Sequence, residues 1–308
     1  MSSASADTGD LKDRREALVF RHRMMAEIRR FFDSRGYIEV DCPIRIPTPA
    51  LELHIDAIPA GGQWLRTSPE FHLKRLLSAG YPKIYHLGPC FRANERGSRH
   101  SEEFTMLEWY RSDAGYIDIL ADTKALIGAL AGELLDRTHL SWQGDRVDLL
   151  PLWELLTVSD VFLEYAGWDP VTHWDADRFD LDLIEKVEPS LPRDRPVVLK
   201  DYPAEAAALA RLCAGDGSRA ERWELYIGGL ELANAYSELV DPVEQRARFE
   251  ACAGEREALG KEAYAIDEAF MAAMESGMPA SGGIALGVDR LLMLFLDETD
   301  IGRVRPFH

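Results

Sequence analysis

The chain has 308 residues, 35 Lys plus Arg against 53 Asp plus Glu, and a formal net charge of −18. At 46% hydrophobic and 29% charged residues its make-up is globular, which excludes a disordered or fibrous chain, and the core is large enough to fold without disulfides. So acidic a balance speaks against broad gripping of nucleic-acid phosphates, which needs a basic face.

Residues 1–10 are small and polar and are expected to form a flexible tail, without the order of a secretory signal. The stripe Leu18, Ile28, Phe31 and Phe32 predicts a helix over about 11–35, ended by Gly36, and Tyr37–Val40 reads as a short strand. Proline and glycine make 43–62 a loop. Thr67-Ser68-Pro69-Glu70 reads as a helix start, with Thr67 or Ser68 as N-cap and Pro69 at the first helical position. Strands are expected at 83–92 and 104–111 as a hairpin with a long charged loop, then an amphipathic helix at 116–137. Residues 140–205 read as an insertion or peripheral subdomain, with a helix at Trp153–Tyr165 and a strand at Val197–Leu199. Strands at 222–227 and 230–239 turn at Gly228-Gly229. A charged helix follows at Glu244–Gly260, and a glycine-rich strand, Gly282–Gly287, feeds a helix near Val288. The longest apolar run, Leu291–Leu296, is far too short for a membrane span. Cys42, Cys90, Cys213 and Cys252 show no paired spacing and read as reduced thiols of a cytoplasmic protein, not as zinc ligands.

Three places carry chemistry. Arg92 ends a strand beside a charged loop, with Phe104 opening the returning strand. An arginine fork grips a carboxylate or phosphate, and an aromatic can stack a base, although a solvated hairpin loop would look the same. Gly283–Arg290 couples bare backbone to a helix start with an arginine, which suits a polyphosphate and equally suits tight packing. A two-residue turn at Gly228-Gly229 pairs Tyr226 with Glu231 and puts Glu224 and Glu231 on one sheet face, where they repel unless a cation such as Mg²⁺ lies between them. The bland alternative is a solvent-facing sheet. Asn234 and Glu238 have the parity opposite to Glu231, so one shared ligand would require a bulge near Ala233–Ala235.

The order of these blocks is more telling than any one of them. Thr67–Leu76, then Cys90-Phe91-Arg92 leading to Glu103–Tyr110, then Glu231–Glu238, then Gly283–Arg290, resembles the catalytic domain of class II lysyl-tRNA synthetases. The resemblance runs from about residue 15 to the C-terminus and is weakest across 140–205. It implies an α+β fold, an antiparallel sheet flanked by helices, and a homodimer formed through the segment Arg29–Pro43. Fewer than 20 residues precede the first helix, too few for the five-stranded anticodon-binding barrel of those synthetases. A lysyl-type catalytic domain of this length is similar to the elongation factor P–lysine ligase family, which activates lysine, preferring (R)-β-lysine, with ATP and transfers it to a lysine side chain of elongation factor P.

The resemblance implies these roles. Arg92 binds the α-phosphate and the substrate carboxylate, Phe104 stacks adenine, and Arg290 holds the γ-phosphate. Gly287 lines the adenosine pocket, together with Leu232. Glu224 and Glu231 hold Mg²⁺. Glu70 meets one substrate ammonium, Asn234 the carboxylate, and Tyr110, Glu238 and Glu108 the other ammonium, with Ser68 also binding the substrate. The chain departs from the family at several points. Asn94 stands where a glutamate is usual, so either Asn94 or a shifted Glu95 accepts from the adenine amino group. Ser101 replaces an asparagine and Ala235 a glycine. Ala285 stands where the tRNA synthetases carry glycine, and one methyl in a tight pocket can shift selectivity by ~1–3 kcal/mol, here towards the β-amino acid.

The competing readings are a truncated synthetase charging tRNA with a helper, an ammonia-using relative, and a non-catalytic sensor of an amino acid or nucleotide. Acidity and the absent barrel weigh against tRNA, the lysyl-type blocks against ammonia, and retention of Arg92, Glu224, Glu231 and Arg290 against a sensor.

Overall fold

The computed structural model describes residues 11–150 and 152–307, so the expected tail at 1–10 lies outside the described residues. Its centre is a nine-stranded sheet. Along its main path the order is β1 (Ile38–Glu39), β4 (Lys83–Phe91), β5 (Glu103–Ser112), β13 (Ser281–Gly287), β12 (Leu230–Ser237), β11 (Asp216–Ile227), β9 (Val197–Pro203) and β8 (Glu154–Thr157), with β10 (Leu212–Cys213) paired to β11. The pairs from β4 to β9 are antiparallel, whereas β1 runs parallel to β4 and β8 parallel to β9. Two small hairpins, β2–β3 (Arg45–Ile46, Trp64–Leu65) and β6–β7 (His139–Trp142, Asp145–Asp148), lie apart. The α+β expectation of an antiparallel sheet flanked by helices therefore holds, with parallel pairs at both ends.

The sheet's two faces are divided by strand alternation. On β5, Leu107 and Trp109 point to a core shared with helix α1 (Arg15–Asp33) and helix α3 (Tyr116–Leu135). The α1 stripe Met24, Ile28, Phe31 and Phe32 is buried, as period 3.6 requires, and Phe32 stacks on Tyr85 at 4.7 Å. The alternate β5 residues face the other way, towards α2 (Glu70–Ser78), α6 (Pro242–Ala258) and α7 (Glu268–Glu275), where Phe71 and Phe270 stack at 4.4 Å. The site lies on this second face.

Local chemistry fixes the elements. Asp241 caps α6 by accepting from the N–H groups of Val243 and Glu244, with Pro242 at the first position. Glu70 opens α2 one residue later than expected, and Ser68 Oγ accepts from the Glu70 N–H at 2.9 Å. Two expectations need correcting. Residues 154–157 are strand and the helix there, α4 (Val158–Tyr165), starts only at Val158. Helix propensity is worth a few tenths of a kcal/mol per residue, and a parallel ladder to Val197–Lys200 outweighs it. Thr157, extended and accepting from the Asp160 N–H, then starts α4. The second concerns the bulge: it falls at Leu232, because Leu225 pairs with Ala233 while Tyr226 pairs with Glu231. The hairpin β6–β7, α5 (Ala176–Asp182) and α7 were not expected at all.

Candidate active site

The register draws one row of side chains across four strands. Glu108 on β5 faces Ala285 on β13, Ala285 faces Asn234 on β12, and Asn234 faces Glu224 on β11. The next row is Tyr110, Gly283, Tyr236 and Arg222. Because the bulge at Leu232 skips a residue, Glu231 joins Asn234 and Glu224 on this face, the condition for a shared ligand. Above these rows lies a cavity of about 320 Å³, within the range of small-molecule sites.

One end of the cavity is arginine-rich. The Arg92 guanidinium lies over the Phe104 ring at 5.2 Å and its Nε is buried without a hydrogen-bond partner, so an oxyanion placed there gains a donor. Glu95 lines the cavity, 3.7 Å from Arg92, and Ser101 lines it too. Asn94 does not: at φ 66 it turns the chain, a left-handed conformation that asparagine tolerates, and its N–H donates to Glu102. Of the two adenine-side alternatives, the structure brings Glu95 into the cavity. Arg290, in the first turn of α8 (Val288–Leu296), donates to the Glu231 carbonyl at 2.9 Å and lies 2.6 Å from His100 Nε2. Burial and the Arg290 charge push the His100 imidazole down, which keeps it neutral and accepting. Leu232 and Gly287 line the same end.

Glu231 and Glu224 differ in their freedom. Glu224 lies outside the cavity lining and accepts from Tyr202 at 2.5 Å, Tyr226 at 2.8 Å and Arg222 at 2.6 Å. Glu231 keeps 41% side-chain exposure, with Arg290 at 3.3 Å. Partial burial and the Glu224 charge push the Glu231 carboxyl up, with Arg290 opposing. Among the described residues no group of three His, Cys, Asp or Glu forms a metal cage. Mg²⁺ needs one or two carboxylates and takes its other ligands from phosphates and water, so Glu231, which lines the cavity, fits Mg²⁺ brought by a polyphosphate, whereas Glu224 could join it only by giving up its bonds to Tyr202, Tyr226 or Arg222.

The other end is a carboxylate pocket. Glu108, 1% exposed, accepts from Ser68 Oγ at 2.7 Å and Tyr110 OH at 3.2 Å. Burial and the nearby Glu70 charge raise its pKa to about 8. Glu238 is raised to about 7, chiefly by burial, with Lys74 opposing. The Lys74 ammonium is buried and lies 2.5 Å from both Glu70 Oε1 and Glu238 Oε2. Burial alone would neutralise Lys74, but Glu238 and Glu70 more than reverse that and keep it charged. Glu238 Oε2 is taken by Lys74, but Glu238 Oε1 and Asn234 Oδ1 have no hydrogen-bond partner among the described residues. The pocket thus holds unspent acceptors for an ammonium. A Cβ on Gly283 would stand 2.3 Å from both Glu238 Oε1 and Tyr110 Cε1, so only glycine fits against the pocket floor.

An arginine-rich end suited to an oxyanion, next to a carboxylate pocket on one antiparallel sheet, is a layout that suits an amino-acid-activating site. The family model for class II tRNA synthetases (D, K and N) matches residues 6–308. The chain belongs to this family. It is 37% identical over 320 residues to the elongation factor P–(R)-β-lysine ligase of Haemophilus influenzae (strain PittGG), covering 94% of each chain. It is 37% identical over 322 residues to the ligase of the same name from Avibacterium paragallinarum, covering 95% of each. It is also 36% identical to the lysine–tRNA ligase of Moorella thermoacetica, where the match covers 95% of this chain and 65% of that protein.

Family motifs do not announce everything in the cavity. Lys74 sits inside the Thr67–Leu76 block, but its four-residue spacing from Glu70 reads as an ordinary surface pair. His100 is one of many polar residues in a loop. Glu52 comes from the proline-rich loop, where no periodicity assigns a face, yet it lines the cavity.

Proposed function

We propose that this ligase activates lysine, preferring (R)-β-lysine, as an aminoacyl-adenylate and transfers it to a lysine side chain of elongation factor P. The observation that carries the reading is the cavity itself, with the unpartnered Arg92 Nε at one end and the Glu70, Glu108 and Glu238 carboxylates at the other. Two ammonium groups demand that many anions, since unpaired buried charge is costly. The names of relatives matched over 94–95% of their length support the acceptor.

In the first step the lysine carboxylate attacks the α-phosphorus of ATP in line and pyrophosphate leaves. Arg92 holds both reacting oxyanions, Phe104 stacks the adenine with Glu95 beside it, and Arg290 holds the γ-phosphate. Mg²⁺ held by Glu231 and Glu224 would neutralise phosphate charge. Positioning and charge neutralisation do the work, with no dedicated general base. In the second step the acceptor amine attacks the mixed anhydride and AMP leaves. We read residues 11–308 as one catalytic domain acting as a cytoplasmic homodimer, with 140–205 not a separate subdomain but the supplier of β8 and β9 to the central sheet and of Trp142, Val147 and Val198 to the main core. Among the described residues no helix is long and apolar enough to cross a membrane.

The test is one mass-spectrometric assay with ATP, Mg²⁺ and either lysine isomer, offered elongation factor P in one tube and total tRNA in another. A gain of one lysyl mass on the factor is expected. Charged tRNA with unmodified factor would instead support a tRNA ligase.

A further inference from the structure

Three carboxylates were expected around the amine pocket, and the cavity lining adds Glu52, which was not expected there. Glu52 belongs to the loop between β2 and β3 and lines the cavity together with Arg92 and Glu70. Its placement is built in. The Arg256 guanidinium, 0% exposed on α6, donates to the carbonyl oxygens of Glu52 at 2.6 Å, Leu53 at 3.3 Å and Ile55 at 3.1 Å, and pairs with Asp56 at 2.7 Å. Lys261 adds a second grip, on the Leu53 carbonyl at 3.1 Å. These bonds hold the loop by its backbone and by Asp56, leaving the Glu52 carboxylate with no hydrogen bond or ion pair to a described residue.

From this geometry we infer that Glu52 binds the substrate ammonium nearest the reacting carboxyl group. The inference rests on the lysine-activating reading above. Glu52 shares the cavity lining with Arg92 and Glu70, which sets it along the substrate's path, and its electrostatic surroundings agree. Burial raises its carboxyl, and the strongest neighbouring charge is Arg92, followed by Glu70. Glu238, by contrast, answers to Lys74 and Glu70. The carboxyl group to be adenylated must lie at Arg92, so an amine on the next one or two carbons falls between Arg92 and Glu70. Glu70 already shares Oε1 with Lys74, whereas the Glu52 carboxylate is uncommitted. A rigid loop presenting an uncommitted carboxylate is suited to an ammonium, and a charge-assisted hydrogen bond is among the stronger polar contacts.

The test is lysine-dependent pyrophosphate exchange with wild type, Glu52→Gln and Glu52→Asp. Glu52→Gln is expected to raise KM for lysine or (R)-β-lysine by roughly tenfold to a hundredfold, with KM for ATP unchanged and partial recovery in Glu52→Asp. The decisive probe is 6-aminohexanoate, which keeps the distal amine and lacks the proximal one of both isomers. Its inhibition constant against exchange should be the same in wild type and Glu52→Gln. An unchanged KM for the diamines in Glu52→Gln overturns the inference. So does an equal loss for 6-aminohexanoate, or a parallel rise in KM for ATP. A wild type inactive with both isomers would sink the lysine-activating reading and this inference with it, whereas an active wild type with an indifferent Glu52→Gln sinks this inference alone.

Discussion

Lys74 and Glu238 form an ion pair at 2.5 Å with only 1% of either side chain exposed. A resident cation thus stands where the proposed substrate brings ammonium groups of its own. It lets Glu70 of α2 and Glu238, just past β12, stay buried without a ligand. Removing one partner of a buried pair leaves an uncompensated charge, so Lys74→Met should lower unfolding free energy by about 3–5 kcal/mol. Urea unfolding checks this, and Lys74→Met/Glu238→Gln should regain much of the loss while remaining unable to bind lysine.

The pocket should also be sensitive to pH. Glu108 and Glu238 are raised from 4.5 to about 8 and about 7, so the folded chain holds their protons more tightly than the unfolded one. Their contribution to the stability of the ligand-free protein is full below about pH 4.5 and is lost as pH rises through 7 and then 8. An arriving ammonium favours the ionised carboxylates. KM for lysine should therefore fall as pH rises through this window, and calorimetry in buffers of different ionisation enthalpy should show proton release. Glu108→Gln should abolish the upper step.

At the phosphate end, Arg92→Lys replaces a fork by a point charge. Pyrophosphate exchange should fall roughly a hundredfold or more, the scale seen when a donor aimed at developing charge is lost. Unfolding should change little, because the Arg92 Nε has no partner in the fold. An exchange rate within a few-fold of wild type would remove Arg92 from the reaction.

Two substitutions on β13 separate size from charge. Gly283→Ala puts a methyl against Glu238 and Tyr110 and should raise KM for lysine while sparing KM for ATP. Ala285→Gly removes a methyl between Glu108 and Asn234 and should shift selectivity towards α-lysine by ~1–3 kcal/mol. Competition between the two isomers in one exchange assay measures both effects.

Much of this site was legible in the sequence because it is carried by local rules. The Gly228-Gly229 turn, with φ +61 and +76, fixed the pairing of Tyr226 with Glu231, and alternation then placed Glu224 beside them. The bulge was legible as a need but not as a place, since Leu232 looks like any strand residue. Residues 154–157 look helical until β9 lies beside them. Lys74 and Glu52 were illegible for a shared reason: their burial is created by distant segments, β12 for Lys74 and α6 for Glu52's loop, and neither leaves a periodic mark.

The sheet's margins have a consequence for the acceptor. The outermost strands β1 and β8 contain two and four residues. Short edges give a foreign chain little backbone on which to zip, one way that natural sheets avoid edge-to-edge aggregation. A protein delivering its amine to the cavity is therefore expected to be held by loops and side chains around the opening, and its recognition can change by surface substitution while the sheet that performs the chemistry stays as it is.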